Sequence, residues 1–406
     1  MKTGLQREAW LDYVRFFSIF LVIVFHTPPR LALFDDAVIL NLRVPVFFCI
    51  SGFLYSFDRR PRFFDYVKHR AKQILVPYCT FFVAFYALWL MVGRSMVGAE
   101  EEAISVWAPV VEFISGNPHT VVAPFWYIAC LFTIQMLYRG IECLVKRSWV
   151  LPTCVALALA TYFIPYEIPV VTAIGKIWNI GNALLFLPFY ALGNCCKPLL
   201  SRLEFRTPPG AAIWVAMAAA SIVVMVQAAS LVESDPQMYH IVRIAAGMMI
   251  IPCYFCVAKW IARRWGHRHV IEFVVVSGTV CLGLQNYCIG IAKMVLNRVF
   301  YDGVLLDHIW LKFVIAVAVM IAIYPIAWAI DRYAPWLIGK GKYFENCVLN
   351  CLKASPPVQL YSQRSGGVGG LVVFAHEVAQ DAQFAVGEFQ DIIVDADVFF
   401  HHHLLK

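Results

Sequence analysis

Arg15 and His26 stand ten residues apart within Trp10 to Arg30, WLDYVRFFSIFLVIVFHTPPR, a stretch otherwise almost wholly apolar. On a helix, eleven steps of about 100° make roughly three full turns, so the two lie on one face, roughly 16 Å apart along the axis. An imidazole can take or give a proton near neutral pH. A guanidinium stays charged and grips phosphate or carboxylate in a fork. Ionisable groups inside a membrane span are costly and by default mark a functional site. A plainer reading stands beside this one: Arg15 snorkels to the interface and His26 caps the far end of the helix. The shared face favours a pair lining one tunnel wall. Asp35 and Asp36 follow His26 closely and could orient it, although adjacent aspartates in a loop are commonly just solvated.

The elements that must position these groups are membrane spans. Of 406 residues, 61% are hydrophobic and 15% charged, more apolar surface than a soluble domain can hide. The chain reads as an all-α, polytopic membrane protein embedded in a lipid bilayer. Ten segments are long enough to cross, near 11–28, 38–56, 74–93, 123–138, 149–165, 178–196, 211–231, 239–259, 270–292 and 309–330. The net charge of +7 does not point to nucleic acid, because the basic residues cluster between spans, where they set orientation. Alternate connections carry 21 basic residues on one side against 5 on the other. This bias places both termini in the cytoplasm of an inner (plasma) membrane protein, with residues 94–122 outside. Thirteen cysteines fall mostly within spans and read as small hydrophobes. Cys253 and Cys256 form a lone CxxC without a second pair, so no metal or cofactor site is expected there. The domain organisation expected is a ten-span unit over 1–342 and a cytoplasmic, disordered tail over 343–406. The tail contains SGGVGG and a histidine run, and from residue 353 on it holds six acidic residues against three basic.

Five motifs in order resemble acyltransferase family 3, membrane-bound O-acyltransferases acting on surface polysaccharides and other glycans. The first is Arg15, ten residues, then His26. The second is RVPVFFCISGFLYS, Arg43 to Ser56, with its basic residue, proline, aromatic pair and Ser-Gly. The others are KHRAKQILVPY, Lys68 to Tyr78; PFWYIACLF, Pro124 to Phe132; and FYALGN, Phe189 to Asn194. The resemblance covers about residues 8–340. It departs from many relatives near the ninth span, where Gln285 and Asn286 stand in place of a histidine or other polar residue, and the tail after about residue 352 has no counterpart.

Physical readings accompany the motifs. Arg43 and Pro45 would start the second span, where a proline costs little. Ser51 and Gly52 would let helices approach closely, or leave room for a slender chain such as pantetheine. Trp126 and Tyr127 read as packing or interface aromatics. The resemblance implies acyl-CoA, usually acetyl-CoA, as donor, and a hydroxyl of a glycan or lipid-linked sugar as acceptor. His26 would be general base or transient acyl carrier and Arg15 its catalytic partner. Arg15, Arg43, Arg70, Ser51 and Gly52 would contact the donor. The rival from a different class is a small-solute transporter, which ten spans with intramembrane Arg and His would also suit. No internal repeat or matched pair of interrupted helices supports it.

Overall fold

The computed structural model describes residues 8–31, 34–58, 62–93, 105–164, 168–205, 208–301 and 303–334. The tail from 343 on, and residues 94–104 of the segment expected outside, lie outside the described residues. The chain is an all-α polytopic membrane protein, and no strand occurs among the described residues. The main helices are α1 (Ala9–His26), α2 (Asp35–Phe53), α3 (Phe63–Met91), α4 (Ala108–Ser115), α5 (Trp126–Leu144), α6 (Arg147–Ala160) and α7 (Pro169–Lys176). They continue with α8 (Ile180–Cys195), α9 (Pro208–Gln227), α10 (Pro236–Trp265), α11 (His269–Val276), α12 (Gly278–Val299) and α13 (Leu311–Tyr333).

Helices occur at all ten expected places. Eight stretches among the described residues are long and apolar enough to cross a bilayer. The two that fall short are α5, which carries Arg139 and Glu142, and α6, which has 14 residues before a tighter turn over Thr161–Phe163. The longest helix, α10, has 30 residues, about 45 Å at 1.5 Å per residue. It opens on Pro236, whose missing N–H would be an orphan there anyway, and Asp235 caps it by accepting from the Met238 N–H at 2.9 Å.

Several spans are interrupted, and the interruptions have identifiable causes. Arg43 (φ −85°, ψ −79°) breaks α2 in its middle, two residues before Pro45, which has no N–H to give to the preceding turn. Arg43 and Pro45 therefore do not start a span as expected; the helix begins eight residues earlier, at Asp35. The Leu42 carbonyl at the break accepts from the Ser18 hydroxyl of α1 at 3.0 Å. The ninth span is divided at Ser277 into α11 and α12. Between α7 and α8, Trp178 and Asn179 take positive φ. This turn is held from outside: Asn179 Nδ2 donates to the Gly116 carbonyl at 2.7 Å, and Thr133 donates to the Trp178 carbonyl at 2.7 Å.

Helix α1 is the centre of the bundle. It packs against α2, α10, α11, α12 and α13. Two apolar clusters meet at it. The first gathers Trp10, Tyr13 and Val14 of α1 with the second half of α2 and parts of α5, α6, α8 and α10. The second gathers Ile19, Ile23 and Val24 with α3, the start of α5, and α11 to α13. The tightest crossing is α2 on α8, and glycine makes it possible: a Cβ on Gly52 would lie 1.9 Å from the Tyr190 carbonyl oxygen, and one on Gly193 1.9 Å from that of Cys49. Exposed Ile213, Val223, Met294, Val295, Val314 and Ile321 cover the outer faces of α9, α12 and α13, as lipid contact requires.

Candidate active site

A cavity of about 230 Å³ runs along one stripe of α1, lined by Arg15, Ile19, Val22 and His26. The two ionisable groups thus share one face and one cavity, as their spacing predicts. The opposite wall comes from α2, with Arg43, Val44, Phe47 and Ser51. Pro124, Trp126 and Tyr127 close a third side at the start of α5, and Val275, Gly278, Thr279 and Leu282 a fourth. Two of the three interruptions have a local consequence here. The break at Arg43 carries that side chain to the cavity, and the break at Ser277 places Gly278 and Thr279 beside Ile19 of α1.

The two ends of the cavity differ. At one end Arg15 is half-buried, with Asp12 one turn away at 3.9 Å and the Tyr127 hydroxyl within its electrostatic reach. At the other, His26 is accessible to water although protein surrounds it on most sides, the situation of a group in a cavity wall. Phe25 packs edge-on against it at 5.5 Å. The Arg43 guanidinium lies 3.6 Å over the Phe25 ring and acts electrostatically on His26. Arg43 therefore belongs to the His26 end.

The remaining expected residues separate clearly. Ser51 lines the cavity, its hydroxyl turned back to the Phe47 carbonyl at 2.8 Å. Gly52 does not line it; its place is the crossing with α8, where only hydrogen fits. Arg70 does not line it either: its guanidinium donates to Gln73 at 3.0 Å and lies 5.5 Å from the Tyr66 ring. Trp126 and Tyr127 pack, Tyr127 against Phe48 at 5.0 Å, and line the cavity as well. Gln285 is buried and outside the lining.

Asp35 and Asp36 do not orient His26, and Asp35 is not solvated. It is fully buried against Lys312 of α13 at 2.7 Å and accepts from the Leu31 N–H at 2.8 Å. Lys312 also donates to the Pro29 carbonyl at 2.9 Å, so this pair ties down the loop leaving His26. Asp36 pairs with Arg30 at 2.6 Å. The role of Lys312 is missed in the sequence because a lysine in the first turn of a span reads as an interface residue. Two basic residues at the ends of expected spans are likewise interior. Arg139 is fully buried in α5, and Lys259 donates to the Leu200, Ser201 and Leu203 carbonyls, completing the end of a short helix over Lys197–Arg202.

The wall containing Trp126 and Tyr127 is steadied by the segment before it. Glu112 of α4 accepts from the His119 and Thr120 N–H groups, both at 2.9 Å, and from the Thr120 hydroxyl at 2.7 Å. Away from the cavity, His267, His269 and Glu272 bring metal-ligand atoms within 4.8 Å of one another on the surface, among Arg263, Arg264 and Arg268, whose charge opposes a cation.

A cavity of this size is smaller than the ~300–1,000 Å³ usual for whole ligands. It admits a narrow arm and a reactive end. The lining suits that: an apolar sleeve of Ile19, Val22, Val44 and Phe47 between a guanidinium and an imidazole. Residues 8–332 match a protein family described as an acyltransferase domain. No curated protein and no solved structure matches the chain.

Proposed function

The chain belongs to that acyltransferase family, and on this premise we propose that it moves an acyl group, acetyl in the simplest case, from cytosolic acyl-CoA to a hydroxyl of a glycan or lipid-linked sugar. The single observation that carries the reading is the cavity with Arg15 at one end and His26 at the other.

The bias of basic residues supports an Arg15 end facing the cytoplasm, the side from which acyl-CoA would enter. Arg15 would hold an anionic part of the donor at the mouth, since a guanidinium keeps its charge and its fork in a partly dry site. The narrow pantetheine arm would lie along Ile19, Val22 and Phe47, bringing the thioester carbonyl to His26. There the acceptor hydroxyl would lose its proton to the imidazole as its oxygen attacks the carbonyl carbon. The C–S bond then breaks and the thiolate leaves, taking up a proton. General-base help of this kind contributes about 10²–10⁴-fold. Water accessibility at His26 supports an acceptor approaching from the far side of the membrane, most plainly that of the cell's inner (plasma) membrane.

The test is consumption of acetyl-CoA by purified protein in lipid nanodiscs, with and without a glycan fraction from the host envelope. Release of free CoA with acetyl ester appearing on the glycan is expected. Intact acetyl-CoA under all conditions, with a small solute moved instead, would support a transporter. Cysteine labelling at positions 60 and 101 tests the orientation: opposite sides are expected, and labelling of both from one side would remove the inside-to-outside path.

A further inference from the structure

Beyond His26, on the side away from Arg15, two arginines have no carboxylate in contact among the described residues, although Asp36 acts on both at longer range. Arg43 of α2 and Arg243 of α10 come off the same helix crossing, marked by Gly247, whose added Cβ would lie 3.3 Å from Asn41 Oδ1. Arg243 is one turn before Gly247, and Arg43 is two residues after Asn41. Arg243 is the strongest cationic neighbour of Arg43, followed by Arg30. The carboxylates nearby are taken: Asp35 by Lys312 at 2.7 Å and Asp36 by Arg30 at 2.6 Å. Among the described residues neither Arg43 nor Arg243 has a carboxylate within 4 Å. Their Nε atoms are buried with no acceptor, and Asn41, fully buried, has neither amide atom bonded.

Both guanidinium groups rest on aromatic rings, Arg43 on Phe25 at 3.6 Å and Arg243 by Phe186 at 5.6 Å. Stacking occupies the face of a guanidinium and leaves its edge N–H donors free for in-plane bonds. Buried charges are normally paired within the protein. Two fork-shaped donors and an amide left over at one place are what an anion of two or three oxygens would complete.

We propose that Arg43 and Arg243, with Asn41, bind an anionic group of the acceptor, a carboxylate or a phosphate, and so hold its hydroxyl beside His26. The placement decides between donor and acceptor. The donor's phosphates belong at the Arg15 end, eleven residues back along α1, whereas Arg43 covers the ring next to His26. The inference rests on the acyl-transfer reading for the identity of the ligand, and on the side-chain arrangement alone for the anion site.

The experiment is a thermal-denaturation titration of the purified full-length protein with inorganic phosphate, glucuronate and glucose, at constant ionic strength. A saturable rise in Tm with phosphate alone assigns a phosphate-bearing acceptor; with glucuronate alone, a uronic-acid type; glucose is expected to have no effect. R243Q is expected to raise the half-saturating anion concentration at least about tenfold while leaving the response to acetyl-CoA unchanged. R243K, which keeps the charge and loses the fork, should weaken the anion several-fold, and it carries the test if R243Q yields no folded protein. Absence of a saturable response to either anion, a response unaltered in both variants, or equal weakening of acetyl-CoA in R243Q would overturn the proposal. Failure of the acyl-transfer reading would show differently, as unconsumed acetyl-CoA with the anion response intact.

Discussion

Arg139 and Arg43 are both arginines inside apolar spans, and among the described residues the protein gives only the first a carboxylate. Arg139 is fully buried in α5. It donates to the Tyr55 hydroxyl at 2.9 Å and lies 3.7 Å from Glu142, which also pairs with Arg147 at 2.7 Å. Tyr138 donates to Asn194 at 2.8 Å, and Asn194 in turn donates to the Gly52 and Tyr55 carbonyls at 3.2 Å, tying the α2–α8 crossing to the same network. Arg139 thus has a carboxylate and a hydroxyl supplied by the protein, although it too lies over a ring, Phe57 at 3.6 Å, and its Nε finds no acceptor among the described residues. At the cavity, Arg43 shares the ring beneath it and the Nε without an acceptor, but its strongest charged neighbour is another arginine, and no carboxylate among the described residues lies within 4 Å of it. The contrast separates two uses of a buried cation. Where the protein supplies a carboxylate, the group holds helices together. Where no carboxylate is supplied and a cavity adjoins, the group fits the substrate-binding role proposed above.

The comparison can be broken from either side. Arg139→Ala should leave a cavity, take a hydrogen-bond donor from Tyr55 and leave Glu142 with Arg147 as its one cation among the described residues, at about 2–5 kcal/mol. Loss of folded protein, read as membrane yield and Tm, is the expected outcome; a normal Tm would show that the network is not structural. Gly193→Ala should be next, since the α2 backbone is in contact with that position, with about 1–3 kcal/mol of strain and turnover per folded molecule retained. Arg15→Lys should fold normally and raise the KM for acetyl-CoA by about 10–100-fold, the range for a lost charged hydrogen bond. An unchanged KM would return Arg15 to an interfacial role. The smallest effect is expected from truncation after Leu352, which removes no family-like motif. Membrane yield and transfer rate should both be unchanged, and loss of activity with normal insertion would make the tail a functional element.

How much of this was legible in the sequence depends on what each signal measures. Apolar run length found the spans, because the bilayer dictates it. The same-face relation of Arg15 and His26 follows from helical periodicity, which holds through all of α1. The helix breaks at Arg43 and Ser277 were not legible. Continuous apolar composition masks them, and they are stabilised by partners distant in sequence, such as Ser18 on the Leu42 carbonyl. Pairings across hundreds of positions were invisible for the same reason: Lys312 with Asp35 spans 277 residues. The interior places of Arg139 and Lys259 were not legible, because a basic residue near a span end looks the same whether it faces water, a carboxylate or a ring of carbonyls. Gly52 was read for either packing or room for a ligand, and its 1.9 Å approach to the Tyr190 carbonyl puts it in the first class.

The central claim is that the α1 cavity is a reaction chamber with His26 as its proton-handling group. The most direct measurement is the rate of acetyl-CoA turnover by His26→Ala beside wild type, each normalised to folded protein of equal Tm. His26 makes no hydrogen bond that the fold depends on among the described residues, so normal insertion and a Tm close to wild type are expected. Turnover should fall by at least about 10²-fold. A well-folded His26→Ala protein with wild-type turnover would contradict the account.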